Sequence, residues 1–445
     1  MSTLNVENIK HIAADSDSLR LATDGTVSFT KNVTAVTVDS ATITNLSGTN
    51  VTGTNVTGTN VTADSATITN LSGTNVTADS ATVTNLSGTN VTADSATVTT
   101  ISSTNVTASG DIKGSSFNGG QLGGRRNIII NGAMQVAQRG GGTTSITNGV
   151  DGLDYYSADR MKNYISYGNG DITYASVTTD GNSFKPAFQN SVKYSNLTGG
   201  APTGSQQVAL LHYIEGQDLQ HLEYSTSNAK TLTLSFWVKT NKTGVYSVEF
   251  FTQPTSGSSR GYTKTFTVSS TNWEYYTLTV EGDTASDIRN SNDYGLLVKF
   301  WLAAGGNFTS GTLQTSWQDR VAGNAVSSSN VNLADDINNV FEITGLQLEV
   351  GDTATPFEHR SYGEELALCQ RYYEIVGMTM TTSGQFDNAV SYAVTKRAVP
   401  TLSVFSGSLG TATVLAMPNN DVGQIRQQTN ASGAVDVAIQ ANAEL

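Results

Sequence analysis

The chain carries TLTLSFWVKT at residues 231–240, in which apolar and polar side chains alternate. This two-residue period predicts a half-buried strand, with Leu234 and Phe236 facing a core and Trp237 facing away from it. Five other segments share this strand character: GVYSVEFF (244–251), YTKTFTV (262–268), WEYYTLTVEG (273–282), YGLLVKFWLA (294–303) and VFEITGLQLEV (340–350). Turn signals separate the segments and no helical run interrupts them, which predicts an antiparallel β-sandwich over residues 125–360.

Composition limits the classes of partner. The chain has 445 residues, a formal charge of −13 and only 14% charged residues. Several domains are expected at this length, and an acidic chain without clustered Lys and Arg is not expected to bind nucleic acid. No segment has transmembrane length, and the first residues lack an apolar run of signal-peptide length. We therefore expect that the chain does not insert into a membrane. We also expect that it is made in a cytoplasm, without a signal peptide.

A short helix is predicted after the sandwich, in GEELALCQRYYE (363–374). Leu366, Cys369 and Tyr373 would share one face of it, and the two glutamates suit its first turn. Cys369 is the only cysteine, so an intrachain disulfide is impossible and a buried structural thiol is expected. The remaining residues, 375–445, return to β-type patterning.

A hairpin is predicted near the first residue, in SLRLATDGTVSF (18–29), where apolar residues alternate around Asp24-Gly25. Such a hairpin is too small to be stable alone, so it needs copies of itself or a docking surface.

A five-residue unit repeats fifteen times over residues 36–110, with an aliphatic residue or Ala at every fifth position. A longer period is superimposed, since ATITNLSGTNVTADS (66–80) returns as ATVTNLSGTNVTADS (81–95). Ordering the backbone costs roughly 1–2 kcal/mol per residue, whereas burying one Val or Leu returns about 1.5–3 kcal/mol. A regular repeat with so little apolar surface predicts a β-structured shaft whose interior is shared by several chains, most simply three.

Two alternatives remain for this tract. Ser/Thr/Gly/Asn-rich segments can be disordered, although the strict phase of the apolar position argues against disorder. Residues 44–48, TNLSG, resemble the pentapeptide-repeat family, which implies a single-chain β-helix. The departures are Asp64, Asp79 and Asp94, which that fold would bury unpaired at high cost.

Several segments together resemble tail-fibre and receptor-binding proteins of tailed bacteriophages, of the kind found in marine and cyanobacterial phages. They are RRNIIINGAMQVAQRG (125–140), YYSADRM (155–161), GLQLEVGDTATPFEHRSYGEELALCQRYYE (345–374) and VTKRAVPTL (394–402). One departure is Met161, which stands where relatives usually carry Trp. The resemblance implies an elongated, all-β homotrimeric fibre located in the virion. It also implies that tail adaptor, nozzle or baseplate proteins bind residues 1–35, where Leu4, Val6 and Ile9 are the candidate attachment residues.

These inferences divide the chain into six regions. They are an attachment segment (1–35), a shaft (36–113), a Gly-rich hinge (114–124), a sandwich that resembles jelly-roll carbohydrate-binding modules (125–360), a helix (361–374) and a β-rich tip (375–445).

The binding hypothesis concerns sugars, which pack on flat aromatic faces while amides and carboxylates bind their hydroxyls. Strand alternation selects four outward-facing candidates: Trp237, Trp301, Gln347 and Glu349. The expected ligand is a host surface polysaccharide or lipopolysaccharide. The alternative for either Trp is that it packs under a loop or at a subunit interface. A separate alternative is that the tip, 375–445, carries the receptor site.

Two alternative functions remain open, a fibre-borne polysaccharide depolymerase and a purely structural tail spacer. A glycosidase needs two carboxylates held several ångströms apart, and the acidic pairs Asp335-Asp336 and Asp283/Asp287 are more typical of solvated loops. No nucleophile elbow or phosphate-binding loop occurs, so we expect a non-enzyme without a cofactor. Acidic loops can bind Ca²⁺, but no calcium-loop motif is present here, so the sequence leaves metal binding undecided.

Overall fold

The computed structural model describes residues 19–21, 27–29, 125–147, 154–155, 157–176, 188–381, 384–407, 413–415, 422–429 and 434–445. Contacts between residues divide the chain into two units, Met1–Lys113 and Gly114–Leu445. In the first unit, β1 (Leu19–Leu21) pairs antiparallel with β2 (Val27–Phe29), which agrees with the predicted hairpin. The shaft, the hinge and the attachment residues Leu4, Val6 and Ile9 lie outside the described residues.

The second unit contains a sandwich of two six-stranded antiparallel sheets. Its strands in chain order are β3 (Thr143–Ile146), β4 (Lys162–Ile165), β5 (Asn169–Ser176), β6 (Asn190–Thr198), β7 (Gln207–Glu215), β8 (Leu232–Thr240), β9 (Gly244–Thr252), β10 (Arg260–Val268), β11 (Glu274–Val280), β12 (Tyr294–Ala304), β13 (Gln318–Asp319) and β14 (Phe341–Val350). Sheet 1 has the order β13-β10-β9-β12-β7-β4, and sheet 2 has the order β11-β8-β14-β6-β5-β3. All six strands quoted above from the sequence are confirmed, and so is the all-β sandwich.

The core lies between the sheets and is built by the alternation that the sequence shows. The ring of Phe236, from sheet 2, has its centroid 4.9 Å from that of Phe300 and 5.1 Å from that of Phe266, both from sheet 1. All three side chains are buried. Burying a Phe side chain stabilises the fold by about 1.5–3 kcal/mol, so this contact holds the two sheets face to face.

The loops contain short helical segments. Among the described residues these are three 3₁₀ segments, Gly216–Leu222, Ala322–Asn324 and Leu333–Asp335, and the one-turn helix α1, Gly306–Thr309.

The helix α2 (Tyr362–Gln370) follows the sandwich and is shorter than predicted. Ser361 caps it by accepting a hydrogen bond from the Glu364 amide, and the Glu364 side chain accepts from the Ser361 amide in return. Tyr373 is not on the helix, because it begins the strand β15 and pairs with Asn442. The predicted helical face is therefore wrong at Tyr373, whereas the buried thiol of Cys369 is confirmed.

Residues after the helix form two three-stranded sheets, in agreement with the β-type patterning of the tip. Their strands are β15 (Tyr373–Thr381), β16 (Gly384–Ser391), β17 (Thr401–Gly407), β18 (Thr413–Leu415), β19 (Val422–Thr429) and β20 (Ala434–Asn442). One sheet has the order β15-β20-β17 and the other β16-β19-β18. Within the described part of the chain, no helix has the length and apolarity that crossing a membrane requires.

Candidate functional site

The four predicted sugar-binding residues do not form one surface. Trp237 lies on β8 of sheet 2, whereas Trp301 lies on β12 of sheet 1. Gln347 and Glu349 lie on β14 of sheet 2. The sequence pattern assigned each residue correctly to an outer face, but alternation cannot tell which sheet a strand joins.

Trp301 is completely buried, so it is not an exposed platform. The loop after β12 covers it, with the Phe308 ring centroid 4.8 Å from its own and Ala325 and Val326 packed nearby. Its indole Nε1 donates to Glu249, 3.2 Å away, and the ammonium of Lys299 lies 3.4 Å from its ring centroid. The alternative of packing under a loop is therefore what the structure shows for Trp301.

Gln347 and Glu349 are also buried, because the loop 351–358 covers their part of sheet 2. The Gln347 amide donates to Glu349 at 2.9 Å, and its carbonyl oxygen accepts from the backbone amide of Glu358 at 2.7 Å. Glu349 accepts from the amide and the hydroxyl of Thr355. Both side chains thus hold the loop in place, and the prediction that they face an open surface is wrong.

Trp237 is half-buried and forms a cross-strand pair with Tyr275 on the edge strand β11. The two ring centroids lie 5.2 Å apart, and 45% of Tyr275 is exposed. Tyr275 was missed from the sequence, although its place in WEYYTLTVEG puts it on the side opposite the buried Leu278 and Val280. Two neighbouring aromatic rings therefore reach solvent on the outer side of sheet 2.

A row of charged residues runs beside this pair. Glu342 lies between Lys239 on β8 and Lys193 on β6 in the strand register. Its carboxylate accepts from Ser191 Oγ at 3.1 Å and lies 3.8 Å from Lys193 Nζ. These contacts fix the carboxylate, which is only 5% exposed, next to Lys193. We call the surface formed by Trp237, Tyr275, Lys239, Glu342 and Lys193 the Trp237 face.

The Trp237 face combines the two components that sugar recognition needs. Flat aromatic rings offer a surface on which the CH groups of a sugar ring can pack. The ammonium groups of Lys239 and Lys193 can donate to hydroxyls, and the buried Glu342 carboxylate helps to position Lys193. The loop 351–358 covers the adjoining part of sheet 2, whereas Tyr275 on the edge strand is 45% exposed.

A second aromatic strip crosses the outer side of sheet 1. Phe251, Leu297 and Tyr213 lie side by side on neighbouring strands, and all three are half-buried. Tyr294 joins them, with its ring centroid 6.3 Å from that of Phe251 and 5.2 Å from that of Tyr213. The guanidinium of Arg320 lies 5.0 Å from the Phe251 ring centroid. No sequence pattern pointed to this strip, because its residues come from three separated strands.

The segments that carry the phage resemblance meet one another in space. Glu358 accepts from the backbone amides of Arg126 and Asn127 at 2.7 Å and 2.6 Å. The buried Arg360 pairs with Glu365 at 3.2 Å, and Glu365 accepts from the backbone amide of Asn131 at 2.6 Å. These bonds tie the start of the second unit to the end of β14 and to α2.

The same cluster continues into the last residues of the tip. Arg160 is fully buried, forms an ion pair with Glu444 and donates to the Tyr213 carbonyl at 2.7 Å. Arg139 reaches Glu444 at 3.3 Å, and its guanidinium lies 3.5 Å from the Tyr373 ring centroid. We call this set of buried charges the junction, because it fixes the tip to the sandwich.

The acidic pairs considered from the sequence make local contacts. Asp283 is buried and binds Arg260 at 2.8 Å, while Asp335 binds Lys242 at 2.6 Å. Asp336 accepts from the backbone amide of Asn338, and this bond lowers the pKa of its carboxyl. Among the residues that the structure describes, no cluster of His, Cys, Asp and Glu is suited to hold a metal ion.

Comparisons with known proteins give distant structural similarities. No protein-family model and no curated protein matches the chain. An arabinose-bound MgGH51 α-L-arabinofuranosidase is 13% identical with a TM-score of 0.26, over 51% of this chain and 26% of that one. The enzymatically active domain of bacteriophage CBA120 tailspike protein 4 is 11% identical with a TM-score of 0.27, over 71% of this chain and 44% of that one.

The structural matches also include carbohydrate-binding modules. The family 11 module from Clostridium thermocellum, in complex with a β-1,3-1,4-mixed-linked tetrasaccharide, is 10% identical with a TM-score of 0.23, over 48% of this chain and 99% of that one. The chain thus spans about a quarter of the arabinofuranosidase and less than half of the tailspike domain. At these identities and TM-scores, the similarities carry no argument about what this chain does.

Proposed function

We propose that this chain binds a bacterial surface glycan through the Trp237 face and serves as the host-recognition part of a bacteriophage tail fibre. One observation carries the binding proposal: Tyr275 and Trp237 form an open aromatic pair beside the Lys239–Glu342–Lys193 row. The fibre role is supported by the sequence resemblance of the segments that build the junction.

In this proposal the fibre contains three chains. The pentad tract has too little apolar surface for one chain to bury, which favours an interior shared among copies. Residues 1–35 would bind a tail protein, with Leu4, Val6 and Ile9 as contacts, and the assembled fibre would be part of the virion. Three binding domains on one shaft would gain affinity by avidity.

The proposal is binding without cleavage. Asp283 and Asp335, one from each acidic pair, are engaged by Arg260 and Lys242, which favours structural roles for them. Incubation with a bound polysaccharide should leave its chain length and its reducing ends unchanged. Shortening of the polysaccharide would instead support the depolymerase alternative.

Binding is tested on an array of bacterial capsular polysaccharides and lipopolysaccharides, using the full chain. Tyr275→Ala removes the exposed ring, and Trp237→Leu removes the flat ring but keeps an apolar side chain. Each should lower the apparent affinity by up to about tenfold, since aromatic stacking contributes about 0.5–1.5 kcal/mol and 1.4 kcal/mol corresponds to roughly tenfold in affinity. Tyr362→Ala is the matched control, because Tyr362 is 58% exposed and lies on α2.

The outcome separates the possible surfaces. Loss of binding in Tyr275→Ala and Trp237→Leu, with full binding in Tyr362→Ala, supports the Trp237 face. Unchanged binding in both variants refutes it and directs attention to the strip around Phe251 or to the tip. The fibre assembly is tested separately by native mass, and a monomer with full host affinity would contradict the three-chain shaft.

A further inference from the structure

A cleft lies at the end of sheet 1 where three connections meet. Its lining residues come from the 3₁₀ segment after β7 and from the loops that follow β9 and β11: Leu219, Gln220, Glu223, Tyr224, Thr255, Asp287, Ile288 and Asn290. The cleft has a volume of about 120 Å³. None of its residues belongs to the Trp237 face, so it is a separate feature of the molecule.

The cleft has an apolar floor. Leu219, Ile288 and Tyr224 are 1%, 5% and 8% exposed, respectively. The Tyr224 ring packs against Trp317 in a T-shaped contact, with the ring centroids 5.8 Å apart. The hydroxyl of Tyr224 is enclosed and has no hydrogen-bond partner among the described residues, and burial raises its pKa, so it stays neutral.

The rim of the cleft is rich in acceptors. The amide nitrogen of Gln220 donates to the carbonyl of Gly216 at 2.8 Å, which fixes the side chain and leaves its oxygen as an acceptor. One carboxylate oxygen of Asp287 accepts from the Thr255 amide at 3.3 Å, which positions the second oxygen. Glu223 adds another carboxylate, 3.7 Å from Lys230. An apolar floor surrounded by fixed acceptors suits a small ring that carries donors.

We propose that this cleft binds a single sugar ring, neutral or amino-bearing, through the hydroxyl or amino donors of the sugar. The ring would pack its CH groups on Tyr224 and Ile288 and donate to Asp287 and Gln220. Acidic sugars are disfavoured, because the two carboxylates of the rim repel a third. The site acts in addition to the Trp237 face and does not depend on it.

Saturation-transfer NMR on the full chain tests this proposal with a defined panel of small probes. The panel contains the methyl glycosides of glucose, galactose and mannose, the amino sugars glucosamine and galactosamine, and glucuronic acid. At least one neutral or amino sugar should bind, and glucuronic acid should bind at least fivefold more weakly. Asp287→Ala and Gln220→Ala should each reduce the affinity about tenfold, the loss expected when one hydrogen bond to a fixed acceptor is removed.

Two further variants make the result specific. Asp336→Ala removes an exposed carboxylate of another loop and should leave the signal unchanged. Tyr275→Ala should also leave it unchanged, so failure of the Trp237 face and failure of the cleft are distinguishable. The proposal is overturned if no sugar of the panel shows saturation transfer, if both cleft variants bind as well as the parent chain, or if glucuronic acid binds as tightly as the best neutral or amino sugar.

Discussion

Removing the Arg160 guanidinium should destabilise the second unit by about 3 kcal/mol. Loss of one partner from a buried ion pair costs about 3–5 kcal/mol, because the other charge stays buried without its partner. In Arg160→Leu that remaining charge is Glu444, whose side chain is only 6% exposed. Glu444 keeps Arg139 at 3.3 Å, so we expect the lower end of this range. The Tyr213 carbonyl also loses its 2.7 Å hydrogen bond from Arg160.

Arg125 provides a matched control on the same unit. It also pairs with a glutamate, Glu364, at 2.8 Å, but their side chains are 48% and 52% exposed. Exposed ion pairs contribute about 0.2–1 kcal/mol because water and salt screen them. Arg125→Leu should therefore lower the free energy of unfolding by less than ~1 kcal/mol. The two variants lose the same chemical group and differ in burial.

Urea unfolding followed by tryptophan fluorescence measures both variants, and limited proteolysis of the tip reports whether the junction has loosened. The double variant Arg160→Leu/Glu444→Leu should be more stable than Arg160→Leu, since it removes the buried carboxylate that has lost one of its two arginines, while Arg139 keeps Asp159 at 3.6 Å. Equal destabilisation by Arg160→Leu and Arg125→Leu would refute the reasoning. So would a double variant less stable than Arg160→Leu, because the under-compensated charge of Glu444 would then not be the cause.

Lys299→Met in sheet 1 and Gly345→Ala in sheet 2 test how single positions affect the stability of the sandwich. Burial lowers the pKa of Lys299 from 10.5 to about 7, so between these values the unfolded chain binds an extra proton and stability should rise with pH. Lys299→Met should remove this dependence and stabilise most near pH 6, by up to roughly 5 kcal/mol in urea titrations; an equal gain at every pH would contradict it. Gly345 has φ of 65°, and a Cβ there would lie 2.7 Å from Phe188 Cζ. Gly345→Ala should therefore cost about 1–3 kcal/mol, whereas Gly363→Ala, where a Cβ meets nothing within 4 Å, should be neutral or stabilising in the same assay.

The sandwich was predictable because each strand carries its own alternation. Leu234 and Phe236 are buried and Trp237 is not, as the period-two pattern of β8 requires. The helix end was less predictable, because Tyr373 fits a helical face equally well. Tyr373 is a strand residue because pairing with Asn442, far along the chain, satisfies the hydrogen bonding of its backbone. The local pattern of apolar residues thus predicts the strands of the sandwich, whereas pairing with a distant strand determines where α2 ends.

The candidate site was only partly predictable. Trp237 was found, but Tyr275 was missed because strand neighbours cannot be identified before the pairing of β8 with β11 is known. Trp301 and Glu349 were assigned to outer faces correctly, yet both are covered by loops. Nothing in the strand pattern reports whether a loop folds back over a sheet, since that depends on contacts such as those of Thr355 with Glu349.

The positions of the resembling segments separate structural roles from recognition in this chain. Asn131 of the first segment bonds to Asp159 of the second and to Glu365 of the third. The last residues of the tip bind the second and fourth segments, through Arg160–Glu444 and Arg397–Ala443. Their side chains hold buried charges and backbone groups, so few substitutions would be tolerated there. The Trp237 face and the cleft lie outside these segments, where side chains can change without disturbing the junction. We infer that the resemblance reflects how the tip is fixed to the sandwich. Under the proposed function, the choice of glycan would reside in surfaces that the resemblance does not include.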